Sequence, residues 1–118
     1  MYEVRVILEF SAAHMLRDYK GKCENLHGHN WKVEVTAFST ELNKQGMVVD
    51  FAKLKKNLKG VLDKLDHRNL NEITYFRKVN PTSENIARYI YNRLIGQVPG
   101  IREIKVWESD TACATYEE

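Results

Sequence analysis

The sequence predicts an α+β fold in the order ββααββ, with a four-stranded antiparallel sheet and two helices on one of its faces. Two segments near the N-terminus and two near the C-terminus alternate apolar and polar residues, as half-buried strands do. Two segments between them repeat apolar residues at helical spacing. The 118 residues suffice for one domain, 1–118, with its own buried core.

The first two strands are predicted at residues 2–10 and 27–39. The first strand has its apolar side chains on even positions, and this row continues to His14. The second has its apolar row on odd positions, and His27 and His29 lie on that row. Residues two apart in a strand point to the same face. If the strands pair antiparallel, all three imidazole rings can therefore meet.

The two helices are predicted at about residues 51–65 and 82–97. Asp50 is a suitable N-cap for the first helix, and Thr82 is a suitable N-cap for the second. Glu84 lies near the N-terminal end of the second helix, where its negative charge is favourable. The chain between the two helices shows no clear period and is predicted to be irregular.

The last two strands are predicted at residues 101–109 and 111–117, as a hairpin. Glu108 has the same parity as the apolar Ile104 and Val106. Burying a carboxylate is costly unless it is paired. Glu108 is therefore expected to bind a basic residue, or to accept two N–H groups of a planar heterocyclic ligand.

Composition and charge narrow the function classes. The net charge is +2, and the basic residues are scattered, so binding to nucleic acid or to a membrane is not favoured. No secretory signal or apolar span is visible, which favours a cytoplasmic protein. With two cysteines, Cys23 and Cys113, a reduced setting is expected. Cys113 is interpreted as a small packed residue in the last strand.

His14, His27 and His29 are candidate ligands of one Zn²⁺ ion. Three histidines with an open fourth position are typical of a catalytic zinc site. The alternative is that each is a hydrogen-bonded core or surface histidine. Cys23 lies four residues before His27, where it could be a reactive thiolate, a fourth ligand of a closed structural site, or an inert thiol.

Asp66 and His67 follow the first helix and have two interpretations. A carboxylate next to an imidazole can form a proton relay, but adjacent residues seldom bond each other well, so the residues alone favour a solvated helix terminus. The basic loop residues Arg17, Lys20 and Lys22 could neutralise a phosphorylated substrate, or could simply be solvated.

Five motifs occur in order along nearly the whole chain: Phe10-Ser11-Ala12-Ala13-His14, Cys23-x₃-His27-Gly28-His29, Leu65-Asp66-His67, Asn80-Pro81-Thr82-Ser83-Glu84-Asn85 and Glu108-Ser109. Together they resemble the 6-pyruvoyl-tetrahydropterin synthase family, and within it the bacterial and archaeal 6-carboxy-5,6,7,8-tetrahydropterin synthase branch of queuosine biosynthesis. The animal-type members have a longer spacing between the cysteine and His-Gly-His. The resemblance is specific because the motifs keep both order and spacing.

This resemblance implies a fold, an assembly and a site. The fold would be the tunnelling fold, assembled as a homo-oligomeric barrel, usually a hexamer (a dimer of trimers), with active sites between subunits. The resemblance assigns the residues as follows: zinc ligands His14, His27 and His29; catalytic base Cys23; proton relay Asp66 and His67; pterin anchor Glu108; pocket lining Thr82, Ser83 and Glu84.

The resemblance also implies a reaction. The expected enzyme is a zinc-dependent lyase that converts 7,8-dihydroneopterin triphosphate to 6-carboxytetrahydropterin, acetaldehyde and triphosphate. Glu24 creates a second pattern, Glu-x₂-His-Gly-His, which resembles the branch that cleaves dihydroneopterin to 6-hydroxymethyl-dihydropterin for folate. A dual-function or folate-type enzyme that uses Glu24 is therefore one alternative. A non-catalytic zinc- or pterin-binding module, with Cys23 as the fourth ligand, is another.

Overall fold

One mixed sheet of five strands dominates the computed structural model of the chain, which describes residues 1–21 and 24–118. The strand order across the sheet is β3-β1-β2-β4-β5. All neighbouring strands are antiparallel except β3 and β1, which are parallel. The strands are β1 (Tyr2–His14), β2 (His27–Ser39), β3 (Arg68–Asn69), β4 (Ile101–Ser109) and β5 (Ala112–Glu117).

The prediction of a four-stranded, fully antiparallel sheet is wrong by one short strand. β3 pairs with Ala12 and Ala13 of β1. The backbone N–H of His67, just before β3, donates to the carbonyl of Ser11. Two residues are too few to show an alternating pattern, and their pairing depends on a distant segment of the chain. Local periodicity therefore could not reveal this strand.

Three helices pack on one face of the sheet: α1 (Phe51–Leu62), α2 (Thr74–Lys78) and α3 (Ser83–Leu94). The predicted caps are present, since Asp50 accepts from the N–H of Ala52 and Thr82 accepts from the N–H of Asn85. The predictions placed the ends of α1 and α3 about three residues too late. After α1, the N–H of Leu65 donates to the carbonyl of Leu62, a three-residue step that leaves the α-helical pattern.

The segment between the two predicted helices, which was predicted to be irregular, contains two further short elements besides β3. A single 3₁₀ turn covers Leu70–Glu72, and α2 follows it directly. Leu70 and Phe76 are fully buried there. A five-residue helix is too short to display helical periodicity, which explains why the pattern did not predict it.

The core lies between the sheet and the helices. The even-numbered row of β1 and the odd-numbered row of β2 face this core, as the alternation predicted. Within the described residues, no helix combines the length and apolar character needed to cross a bilayer. The fully buried apolar residues include Trp31, Val33, Val35, Leu54, Leu58, Ile86, Ile90, Leu94 and Ile104.

Candidate metal centre

Three imidazole rings meet where the end of β1 lies beside the start of β2. The antiparallel register places His14 opposite His27, and His29 opposite Ala12. The ring centroids of His14 and His27 are 4.7 Å apart, those of His27 and His29 are 4.8 Å apart, and those of His14 and His29 are 5.2 Å apart. The structure thus brings together the three histidines that the strand rows predicted to converge.

Glu108, from β4, adds a carboxylate to these rings. Its Oε1 atom lies 3.3 Å from Nε2 of His29. One candidate ligand atom from each histidine and one from Glu108 all lie within 4.8 Å of one another. This geometry can hold a metal ion with three nitrogen ligands, and it places a carboxylate beside the open position. The basic group beside the Glu108 carboxylate is therefore the imidazole of His29.

Two backbone carbonyls set the orientation of two of the rings. Nδ1 of His14 lies 2.8 Å from the carbonyl oxygen of Pro81, and Nδ1 of His27 lies 2.8 Å from the carbonyl oxygen of Asn25. A carbonyl can only accept, so the proton of each ring lies on Nδ1 and leaves Nε2 with a free lone pair. Metal-binding histidines are held in this way by a bond from the other ring nitrogen.

Unpaired ring nitrogens face the centre of the cluster. Among the described residues, Nε2 of His14 and Nε2 of His29 are buried and make no hydrogen bond, because the 3.3 Å contact between Glu108 and His29 lacks hydrogen-bond geometry. Leaving a buried polar atom unpaired costs about 1–3 kcal/mol. Burial lowers the pKa of His14, and this effect outweighs the opposing effect of the bond to Pro81. The neutral imidazole, which is the form that binds a metal, is therefore favoured, and the residues present fit a bound ion.

Trp31 supports the cluster from the core side. Its ring centroid lies 4.8 Å from that of His14 and 5.3 Å from that of His29, and the side chain is fully buried. The indole N–H donates to the carbonyl of Ala12 at 3.2 Å. Because the indole is fixed by packing and by this bond, it limits how far the two histidine rings can tilt.

Asp66 and His67 form a hydrogen-bonded pair at the edge of β1. Nδ1 of His67 lies 3.0 Å from Oδ2 of Asp66, and the backbone N–H of Ser11 donates to Oδ1 of Asp66 at 2.8 Å. The bond from Ser11, and then the neighbouring His67, lower the pKa of Asp66. The two side chains are therefore in contact, although the residues alone favoured a solvated helix terminus. His67 has a φ of +58°, a left-handed conformation that local sequence patterns do not reveal.

The Asp66–His67 pair is separate from the histidine cluster within this chain. The side chain of His67 is 82% exposed. Within the described part of the chain, no hydrogen bond or ion pair joins the two groups. Asp66 accepts from the backbone N–H of Ser11, and the carbonyl of Ser11 accepts from the N–H of His67, so both contacts lie on the β3 side of β1, away from β2 and its two histidines. In an isolated chain, His67 therefore faces solvent.

The other residues that were predicted to belong to the site include a helix cap, residues of differing exposure and residues that bind the backbone. The Thr82 hydroxyl caps α3, while Ser83 is buried and Glu84 is exposed. The guanidinium of Arg17 donates to the carbonyls of Phe76 and Val79, so Arg17 binds the C-terminal end of α2. The Glu24 carboxylate accepts from the N–H of Leu16 at 3.2 Å. Cys23 and Lys22 lie outside the described residues.

Cys113 is exposed, so its interpretation as a packed residue is wrong. It lies in β5 at the edge of the sheet, opposite Trp107. Sequence reasoning also missed the carbonyls that orient His14 and His27. Because every residue has a carbonyl, the sequence does not show which carbonyls bind a histidine ring. The Asn-Pro dipeptide before α3 was the one local feature that marked this position.

Comparisons with known proteins agree on one family. A family model described as 6-pyruvoyl tetrahydropterin synthase matches residues 3–118. A Haemophilus influenzae protein named 6-carboxy-5,6,7,8-tetrahydropterin synthase is 35% identical, with 100% of both chains covered. A Pyrococcus furiosus protein named dihydroneopterin monophosphate aldolase is 42% identical, over 86% of this chain and 84% of its own.

The three-dimensional comparison gives the same result. The structure of Caenorhabditis elegans 6-pyruvoyl tetrahydropterin synthase superposes with a TM-score of 0.88 at 34% identity. The superposition covers 99% of this chain and 95% of that chain. The agreement extends over the whole sheet and its helices, including the strands that carry the histidine cluster.

Proposed function

The chain belongs to the 6-pyruvoyl tetrahydropterin synthase family, and from this premise we propose that it is a zinc-dependent 6-carboxy-5,6,7,8-tetrahydropterin synthase. With the uptake of one water molecule, it would convert 7,8-dihydroneopterin triphosphate to 6-carboxytetrahydropterin, acetaldehyde and triphosphate, as a step toward queuosine. The observation that carries the proposal is the convergence of His14, His27 and His29, with unpaired nitrogens facing inward. The full-length similarity to the H. influenzae protein supports the choice within the family.

His14, His27 and His29 would hold the zinc ion through Nε2. When bound there, zinc supplies Lewis acidity, which lowers the pKa of substrate hydroxyl groups. The protein prepares the site in advance, because carbonyl oxygens already fix the tautomers of His14 and His27. A preorganised site needs little rearrangement when its ligand binds.

The protons would be moved by Cys23 and by the Asp66–His67 pair. Cys23 would act as the general base beside the substrate side chain. The low pKa of Asp66 keeps it anionic, so it can orient the His67 ring and stabilise the imidazolium when His67 takes up a proton. The exposed position of His67 suits a group that serves the site of a neighbouring subunit, in the proposed homohexamer with sites between subunits.

Glu108 would bind the pterin ring. A carboxylate can accept two adjacent N–H groups from such a heterocycle. Its position beside His29 lets the ring be held at Glu108 while the side chain of the substrate reaches the histidines. Thr82, Ser83 and Glu84 would line the same pocket.

Product analysis tests this function. Zinc-loaded protein is incubated with 7,8-dihydroneopterin triphosphate, and 6-carboxytetrahydropterin, acetaldehyde and triphosphate are quantified. The expected result is all three products in equal amounts, with turnover lost but zinc retained in Cys23→Ala. Absence of the carboxylated product overturns the proposal. Loss of zinc in Cys23→Ala would instead indicate a binding module in which Cys23 is the fourth ligand.

A second candidate is the folate-type or dual-function enzyme, which cleaves dihydroneopterin to 6-hydroxymethyl-dihydropterin. The similarity to the P. furiosus aldolase and the adjacent Cys23 and Glu24 favour it. Against it, the Glu24 carboxylate accepts from the N–H of Leu16. Dihydroneopterin and its monophosphate are the test substrates. A 6-hydroxymethyl product that disappears in Glu24→Ala supports this candidate, and an unchanged product profile in that variant excludes a role for Glu24.

A further inference from the structure

Two asparagine side chains pair with the backbone directly after His14. Asn71 accepts from the N–H of Met15 at 2.9 Å and donates to the carbonyl of Met15 at 2.9 Å. Asn80 accepts from the N–H of Arg17 at 2.9 Å and donates to the carbonyl of Arg17 at 3.0 Å. A carboxamide has the donor and acceptor of a peptide group, so each asparagine takes the place of one residue in a neighbouring strand.

Leu16, which lies between Met15 and Arg17, is held by Glu24. Leu16 donates its N–H to Oε1 of Glu24 at 3.2 Å, and its carbonyl accepts from the N–H of Glu24 at 2.9 Å. The N–H and carbonyl groups of residues 15–17 are therefore all satisfied, although no strand of the described part of the chain pairs with them. This segment leads out of β1, whose last residue is His14. Its position is set mainly by side chains, so single substitutions can move it.

The segment that contains Asn80 also holds the ring of His14. The carbonyl of Pro81, the next residue, accepts from Nδ1 of His14 at 2.8 Å. The carbonyl of Asn80 accepts from the side chain of Asn85 at 2.9 Å, which ties it to α3. Residues 14–17 and residues 80–81 are therefore joined at two points: Arg17 binds the Asn80 side chain, and the His14 ring binds the Pro81 carbonyl.

We propose that Asn71 and Asn80 form an asparagine clamp that positions His14 for metal binding. Asn71 holds Met15, the residue that follows the end of β1. Asn80 holds Arg17 and precedes Pro81, whose carbonyl binds the His14 ring. Both determine the direction in which Nε2 of His14 points. Because the clamp holds Nδ1–H against a carbonyl, it also selects the tautomer that binds a metal. Neither asparagine belongs to the set of candidate metal ligands, so both are positioning residues, and the inference rests on the proposed zinc site.

Zinc affinity, measured by competition with a chromogenic chelator, tests the clamp. Asn80→Ala is expected to weaken binding by about 10–100-fold, the usual cost of losing a residue that orients a metal ligand. Asn80→Asp retains the acceptor for Arg17 but places an oxygen against the Arg17 carbonyl, so it should also weaken binding. Asn85→Ala removes only the bond from the Asn85 side chain to the Asn80 carbonyl, so it is a milder variant. It can be measured if Asn80→Ala does not fold.

Asn43→Ala is the matched control. Asn43 accepts from the N–H groups of Gln45 and Met47, both at 3.0 Å, in the turn between β2 and α1. Asn43→Ala therefore removes two bonds between a side chain and the backbone, as Asn80→Ala does. These bonds lie far along the chain from His14. The thermal stability of this variant should fall while its zinc affinity stays at the wild-type value.

Cobalt substitution gives a readout that stability alone does not change. The visible spectrum of Co²⁺ reports ligand geometry, so it should shift in Asn80→Ala and remain unchanged in Asn43→Ala. Wild-type zinc affinity and an unchanged cobalt spectrum in folded Asn80→Ala or Asn80→Asp would overturn the clamp alone. Failure of the wild-type protein to bind either metal would overturn the clamp together with the proposed function.

Discussion

His14 and Pro81 are 67 positions apart in the sequence, yet Nδ1 of His14 lies 2.8 Å from the carbonyl oxygen of Pro81. This contact joins the end of β1 to the residues that precede α3. It leaves Nε2 of His14 buried, directed at the cluster and without a partner among the described residues. The orientation of His14 therefore depends on segments that β1 does not contain.

His14→Ala is predicted to abolish stable zinc binding. The substitution removes one of three nitrogen ligands and leaves a gap at a position that is only 2% exposed. The affinity should fall by more than the roughly 100-fold upper cost of losing an orienting residue. Zinc content after dialysis, measured by elemental analysis, checks this. His67→Ala is the control and should retain stoichiometric zinc, whereas full zinc content in His14→Ala would contradict the assignment.

Much of the histidine cluster could be predicted because its cause is local. Alternation with a period of two residues assigns each side chain to a face, and the row of β1 and the row of β2 can be followed to His14, His27 and His29. Glu108 could be noticed for the same reason, because a carboxylate on an apolar row is unusual. These features needed only the sequence and the assumption that the two strands pair.

The contacts that orient the cluster could not be predicted, because they depend on backbone groups and on distant segments. The carbonyls of Asn25 and Pro81 carry no side-chain signal. Asn71 and Asn80 could equally have been ordinary turn residues. β3 and the left-handed His67 likewise exist because of contacts with β1, and short elements of this kind have no periodicity of their own.

His67→Ala is predicted to lower kcat by about 10²–10⁴-fold, the usual contribution of a general acid or base. Because His67 lies outside the histidine cluster, zinc content should not change. Steady-state turnover of dihydroneopterin triphosphate, measured on zinc-loaded protein, checks both statements. The matched control is Arg68→Ala, the next residue in the chain. Equal turnover in His67→Ala and the wild type would exclude the relay.

The Asp66 carboxylate should stabilise the fold in a pH-dependent way. The N–H of Ser11, and then His67, lower the pKa of Asp66 in the folded state below the ordinary value of 3.8. The stabilisation is therefore fully present above pH 3.8 and is lost as the pH falls through the folded pKa.

The difference in unfolding free energy between the wild type and Asp66→Asn should thus be largest near neutral pH and should shrink in acid. Urea denaturation across this range checks the prediction. Asp110→Asn, in the turn between β4 and β5, is the control. A difference that stays constant down to the lowest pH would show that the charge of Asp66 is not what stabilises the fold.

Gly100→Ala is predicted to destabilise the fold more than Gly46→Ala. Both glycines have a φ of +83°, so each alanine should cost about 1–2 kcal/mol of backbone strain. At Gly100 the added Cβ would also lie 2.6 Å from the carbonyl oxygen of Phe38. At Gly46 it would meet no described atom within 4 Å. Urea denaturation should show a further loss of about 1–3 kcal/mol at Gly100, and equal losses would mean that the clash is relieved.

Glu108→Gln is predicted to weaken pterin binding while leaving zinc content unchanged. The variant keeps the size of the side chain but loses the charge and replaces one acceptor atom with a donor, so it can no longer accept one N–H group at each of two oxygens. Hydrogen bonds to charged groups contribute about 1.5–3 kcal/mol, which corresponds to a loss of affinity of roughly 10–150-fold.

Two measurements on Glu108→Gln separate an anchor from a fourth metal ligand. Its Oε1 atom lies 3.3 Å from Nε2 of His29, so the distance alone permits either role. An anchor gives weak pterin binding with one zinc per chain, because the three histidines still hold the ion. A metal ligand gives zinc loss, with pterin binding reduced only as a consequence. Glu103→Gln, on the same strand, should change neither quantity and controls for the loss of one negative charge from β4.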